Sequence, residues 1–250
     1  MYNYIWADLL RSLKRVPHIV VMVLLDLAAV GMSVYIRMTN WNAVFLMMAG
    51  EFFLKLIPIL MGIINISIIY GDDFKAKIMQ TTIGNGLSRK KVIGSKLIET
   101  AILSFLDLLE MTLFFLLVAC VMRAGFNGKM VVELFQVMLV STLQCIVYTS
   151  LVQGVIFFRQ GVGIANMVYL LAIFGLPDAI IEAVLNIGAV EAVVGRFHLA
   201  NFLLLRMVDA ASSRLMLGTV DIRAFVGIAV YTAIGFLIAV QAFKKRELEF

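Results

Sequence analysis

The sequence predicts an all-α, polytopic integral membrane protein: six transmembrane helices, an N-terminal interfacial helix, and a re-entrant outer hairpin before the last helix. Three observations lead there. Hydrophobic residues make up 62% of the 250-residue chain and charged residues 15%, against roughly 45–50% and 25% in a soluble domain. Six stretches, near 17–36, 52–71, 97–122, 131–157, 161–177 and 223–243, are apolar enough to span hydrocarbon, which takes about 20 residues. Lys and Arg gather in the segments that six crossings leave on one side. With a mean hydropathy of +1.01, the whole chain, 1–250, reads as a single transmembrane domain.

The elements follow in chain order. In segment 1–16, Tyr2, Trp6, Leu9 and Leu13, with Ile5 and Leu10 beside them, recur at helical spacing opposite Arg11, Lys14 and Arg15. Such a helix is expected along the inner interface, with Trp6 at headgroup depth. The first apolar run, 17–36, follows a basic stretch but carries Asp26 at its centre. It is also longer than a secretory core and lacks a small-x-small cleavage site, so it is expected to remain as a helix.

Between the second and third spans, segment 72–96 is the longest polar stretch. Gly84-Asn85-Gly86 marks a turn, and Ser88 is placed to cap the next helix. The fifth span is interrupted by Pro177-Asp178, where a helix is expected to end or kink. Segment 178–222 contains the apolar face of Ile180, Ile181, Val184 and Leu185, and the run Phe202 to Leu205 bounded by Arg196 and Arg206. Those arginines stand too close together for a crossing, so a re-entrant or interfacial helical hairpin is expected.

Six spans put both termini on one side. Thirteen of the 21 basic residues fall there, in the N-terminal segment, segment 72–96, Arg159 and the tail Lys244-Lys245-Arg246, which makes that side cytoplasmic. The net charge of +5 therefore has a topological explanation and does not point to nucleic acid. Cys120 and Cys145 stand apart in apolar runs and read as small buried hydrophobes.

No cofactor is implied, and enzyme chemistry has no visible support. No G-x-x-x-x-G-K-[ST] phosphate loop, H-E-x-x-H pair or G-x-S-x-G elbow occurs. His18 and His198 read as interfacial. Intramembrane charge is the stronger chemical signal, because each such group costs about 2.5–3.5 kcal/mol on insertion scales. Asp26 and Asp107 lie about 14–15 Å into spans one and three at 1.5 Å per residue. Lys96, Glu99, Asp107 and Glu110 share an arc of about 80° on one helix face. Lys55 is expected within reach of Glu110, and no cation is expected level with Asp26 or Asp107. Asp26, Asp107, Glu110 and Lys55 are thus pathway candidates, or partners in structural hydrogen bonding.

The run from Asp73 to Lys96, with Gly86-Leu87-Ser88-Arg89-Lys90-Lys91-Val92 before Lys96, resembles the cytoplasmic loop of ABC exporter permease subunits, especially those of bacitracin and lantibiotic export or immunity systems. The interfacial first helix, six spans, hairpin and Phe243-Lys244-Lys245-Arg246-Glu247-Leu248 tail agree with it. The family commonly starts this loop with Glu and continues four residues later with Gly-Thr, where this chain has Asp73 and Lys77-Ile78. The resemblance implies a plasma-membrane permease for a hydrophobic or amphipathic peptide or drug. Its partners would be two ABC ATPase subunits and a second permease subunit, identical or related. Asp73, Phe74, Ile83, Gly86, Leu87, Ser88 and Arg89 would meet the ATPase. A secondary transporter coupled to protons or sodium through Asp26, Asp107 and Glu110 is the alternative, and a membrane-resident immunity scaffold is a third reading.

Overall fold

A computed structural model describes residues 2–39, 42–75, 78–84, 86–187 and 199–244. Asn85, Arg196, His198 and the tail beyond Lys244, all used in the sequence reading, lie outside them. The described residues form α1 (Tyr2–Leu13), α2 (Val16–Thr39), α3 (Ala43–Lys75), α4 (Ile78–Gly84), α5 (Arg89–Val121) and α6 (Gly128–Arg159). They continue with α7 (Gly163–Ile173), α8 (Leu176–Leu185), a 3-10 turn (Leu199–Phe202), α9 (Leu204–Met216) and α10 (Ile222–Lys244), with no strand among them.

Five of these helices, α2, α3, α5, α6 and α10, are long and apolar enough to cross a membrane, and α7 with α8 makes a sixth if the bent pair is one span. The ends differ from expectation mainly in α3 and α5. Each has 33 residues, about 50 Å at 1.5 Å per residue against about 30 Å of hydrocarbon. In α5 the extra turns are the polar Arg89–Lys96, which hydropathy does not count; in α3 most of the extra length is the apolar Ala43–Gly50, which a span of about 20 residues leaves out.

The fifth span breaks at Gly175 rather than at Pro177. Gly175 has φ +74°, a left-handed conformation that glycine adopts without a Cβ penalty, and α8 leaves at 52° to α7. Pro177 sits in the first turn of α8, where its missing N–H is not needed. Asp178 Oδ2 accepts the backbone N–H of Leu205 at 2.6 Å, and Arg206 meets Glu182 at 2.5 Å. These contacts tie α8 to α9 as the two arms around residues 188–198.

The centre of the bundle is α6, which packs against α3, α5, α7, α9 and α10. Its buried face carries Ser141, Thr142, Thr149, Ser150 and Gly154. Small residues let backbones approach closely, the main source of helix affinity where no water is expelled. A Cβ at Gly235 of α10 would fall 2.6 Å from the carbonyl of Ser150, so α6 and α10 touch through backbone. At Gly62 of α3 a Cβ would fall 2.0 Å from the Tyr169 hydroxyl, which donates to the Pro58 carbonyl at 2.7 Å. Pro58, having no N–H, interrupts the α3 hydrogen-bond ladder at the Leu54 carbonyl, and Tyr169 of α7 bonds the Pro58 carbonyl one turn further on.

Two further expectations change. Cys145 is buried but Cys120 is exposed, because it stands on the outer side of the last turn of α5, whose Val118 and Ala119 face inward. In α1 the polar Asp8 and Ser12 are buried beside Leu9, while Trp6 and Leu10 are exposed; docking onto α3 and α5 outweighs the apolar stripe.

Gly235→Val is expected to lower stability by about 1–3 kcal/mol, the range for overpacking, because the obstacle is backbone. Gly31→Ala, where a Cβ meets nothing within 4 Å, is expected to hold or raise it. Thermal unfolding in detergent measures both.

Candidate functional site

The first cluster joins three helices at one end of the bundle. Lys96, in the second turn of α5, has a side chain that is 0% exposed. Its ammonium forms ion pairs with Asp8 of α1 and Asp73 of α3, stands 3.2 Å from Glu99, and donates to the Ile69 carbonyl at 3.3 Å. Arg11, one helical turn after Asp8, contacts it and reaches Asp73 Oδ1 at 2.9 Å. The Tyr4 ring lies over the Lys96 ammonium at 5.4 Å, a cation–π geometry. Three carboxylates thus face two cations away from bulk water.

Burial alone would push the Asp8 carboxyl up, but the Lys96 ammonium and the Arg11 guanidinium hold it below its ordinary value. Burial pushes the Tyr4 phenol up to about 12. Burial works against the Arg11 charge, yet the hydrogen bond to Asp73 and the charge of Asp8 hold it more firmly protonated.

The second cluster lies further along α3 and α5. His18, in the first turn of α2, places Nε2 2.9 Å from Asp107 Oδ1. Asn65 of α3 donates from Nδ2 to Asp107 Oδ2 at 3.0 Å and to Ser104 at 3.3 Å. Asn65, Asp107 and His18 are all buried. Asp26 of α2 and Glu110 of α5 complete the group, with Asp26, Asp107 and His18 as the charge-bearing neighbours of Glu110. Asp26 Oδ1 is buried without a hydrogen-bond partner, and Glu110 is exposed.

This placement corrects the sequence reading on three points. His18 is level with Asp107 and bonds it, so it is not merely interfacial and Asp107 does not lack a basic partner. The error came from setting the start of the first span level with the start of the third; α5 begins at Arg89, and α2 begins beside Asp107, about 27 Å further along it. Lys55 is exposed, and among the described residues it makes no ion pair with Glu110. Its charged neighbours are Glu51 and Asp209.

In segment 72–96, Asp73 is committed to the first cluster. Phe74 is half-buried, edge-on to Phe157 of α6 at 6.3 Å, and Ile83 and Leu87 are half-buried against the core. Gly86 has φ +92° and opens the turn. Ser88 occupies the N-cap position of α5, but its side chain makes no cap hydrogen bond. Arg89 donates to the Phe243 carbonyl at 2.8 Å and lies 5.4 Å over the Phe243 ring, which fastens the start of α5 to the end of α10. Among the described residues of the segment, Thr81, Gly84, Gly86, Ser88, Lys90 and Lys91 are exposed. Sequence missed Asp8, Arg11, Tyr4, Asn65 and His18 as site residues. An acid on the polar side of a short amphipathic helix gives no sign that it will be buried against another helix.

Among the described residues no group of three His, Cys, Asp or Glu side chains could hold a metal ion. No protein-family model matches this chain, and no curated protein matches it. The first arrangement suits a fixed mechanical joint and the second a buried polar switch.

Lys96→Met would leave Asp8 and Asp73 buried without their cation and is expected to cost about 3–5 kcal/mol, the range for breaking a buried pair. Because the folded-state value of Asp8 is depressed, its stabilisation is full above the ordinary value of 3.8 and disappears as pH falls through the depressed one. Fluorescence of the exposed Trp6 during acid titration is expected to report release of α1 there, with that component missing from Asp8→Asn.

Proposed function

We propose that this chain is the transmembrane subunit of an ATP-driven ABC exporter that moves a hydrophobic or amphipathic peptide or drug across the plasma membrane. Both termini would be cytoplasmic. Two separate ATPase subunits and a second permease subunit, identical or related, would complete it. One observation carries the reading: the ends of α3 and α5 that flank segment 72–96 are locked to α1 by the Asp8–Arg11–Asp73–Lys96–Glu99 cluster, and the short α4 lies between them. Force applied at α4 would reach both long helices at once. Gly86, Ser88, Lys90 and Lys91 leave a solvent-facing surface beside α4 for a partner. The resemblance of residues 73–96 to permease loops points the same way, and with no phosphate loop in these 250 residues the reading puts nucleotide on the ATPase subunits. ATP would act through its different affinity for inward-open and closed states.

The His18–Asp107–Asn65 network, with Asp26 and Glu110 beside it, favours a second reading in which a proton gradient drives transport. The two separate in liposomes. Cargo movement that requires both the ATPase subunits and ATP is expected. Movement driven by an ion gradient alone, unchanged when ATPase is added, would overturn the exporter reading.

Two variants sharpen the contrast. Lys90→Ala/Lys91→Ala is expected to reduce cargo moved per ATP hydrolysed while leaving protein abundance intact, and unchanged coupling would count against this docking surface. Asp107→Asn keeps hydrogen-bonding capacity toward His18 and Asn65. It is expected to preserve ATP-driven transport while shifting selectivity between cationic and neutral cargo; equal loss of abundance and of transport of both cargo types would mark Asp107 as purely structural.

A further inference from the structure

At the end of the bundle opposite Lys96, arginines converge on one opening. On α9, Arg206, Ala210 and Arg214 recur every four residues and so share a helix face. The turn after α9, closed by Gly218 at φ +73°, brings Arg223 of α10 beside them. Together they border a cavity of about 540 Å³ whose apolar wall includes Phe202, Met207 and Ala224. A neighbouring hollow of about 370 Å³ shares Arg214 and Arg223.

The charge in this cavity is unbalanced. Arg206 is paired with Glu182 at 2.5 Å, whereas Arg214 and Arg223 have no ion pair among the described residues. The one carboxylate on the wall, Asp221, uses Oδ1 to accept the N–H groups of Arg223 and Ala224 at 3.1 and 3.4 Å, which holds the start of α10. Two guanidinium forks are thus presented over an apolar floor, at the end of a membrane-crossing helix.

We propose that this cavity binds the phosphate of an anionic phospholipid headgroup, with Arg214 and Arg223 as its ligands and the floor of Phe202, Met207 and Ala224 receiving the first carbons of an acyl chain. Guanidinium groups match phosphate oxygens in planar, two-point hydrogen bonds. A free anion would use the arginines but leave the apolar floor empty; a lipid uses both. A bound headgroup would also fix α9 against α10, which otherwise meet through the Met207–Gly227 contact, where a Cβ on Gly227 would fall 2.1 Å from the Met207 sulfur. The assignment does not depend on what drives transport.

The test is native mass spectrometry of the purified full chain in detergent, titrated with phosphatidylglycerol, phosphatidylcholine or inorganic phosphate. Wild type is expected to hold phosphatidylglycerol about tenfold more tightly than phosphatidylcholine, equivalent to about 1.4 kcal/mol, and to lose that preference in Arg214→Gln/Arg223→Gln. Should that pair fail to fold, Arg214→Lys/Arg223→Lys keeps the charges but loses the two-point geometry, and its preference is expected to fall by at least half. A preference unchanged in whichever pair folds overturns the site. Inorganic phosphate that displaces phosphatidylglycerol at equal concentration overturns the lipid assignment.

Discussion

A single buried ammonium organises one end of this protein. Lys96 is out of reach of water, and a charge there is tolerable only with opposite charge at contact distance. Its own helix supplies Glu99; Asp8 comes from α1 and Asp73 from α3. Three elements distant in sequence are therefore brought together by one electrostatic requirement, and Arg11 then balances the surplus of acid. The position of α1 follows. It lies against α3 and α5 with its acid inward, while Trp6 and Leu10 stay exposed on its outer side.

The packing around α6 is held without charge. Around α6, hydroxyl groups of Thr142 and Ser150 return hydrogen bonds to their own helix at 2.9 and 2.7 Å, which removes their polarity from the interface. Gln153 donates to the Tyr70 hydroxyl at 2.7 Å and to the Ile93 carbonyl at 3.2 Å, so one amide joins α3, α5 and α6. Phe157 then gathers Tyr70, Phe74 and Phe243, with ring centroids 4.7 to 6.3 Å away. The end of the bundle that carries Lys96 is accordingly dense and aromatic. The opposite end is more open, with amphipathic α9 and the arginine-lined cavity.

Much of the fold was legible because hydropathy is a local property. The apolar middles of α2, α3, α5, α6 and α10 stand where composition puts them, and the weak fifth span is the one that breaks. Segment 72–96 was recognisable as a polar, turn-containing connection. What sequence could not supply was pairing across distance. His18 and Asp107 are 89 positions apart, and only the three-dimensional register of α2 against α5 makes them neighbours. Lys55 and Glu110 failed for the same reason in reverse: similar depth on paper, but different faces in the bundle. Gly175 took the break from Pro177 because proline is harmless in a first turn, whereas a left-handed residue redirects the chain. The acids Asp26, Asp107 and Glu110 were visible one at a time; their association with Asn65 and His18 was not.

The proline in α3 has an unexpected companion. Tyr169 seats its hydroxyl on the Pro58 carbonyl in the hollow that Gly62 leaves open, a peg in a socket that forbids axial slippage between α3 and α7. Any tilt imparted to α3 must therefore drag α7 with it, up to the elbow at Gly175. Beyond that elbow α8 is held not by the peg but by α9, through Asp178 and Glu182, so the stiffness that the peg lends to α7 ends at Gly175.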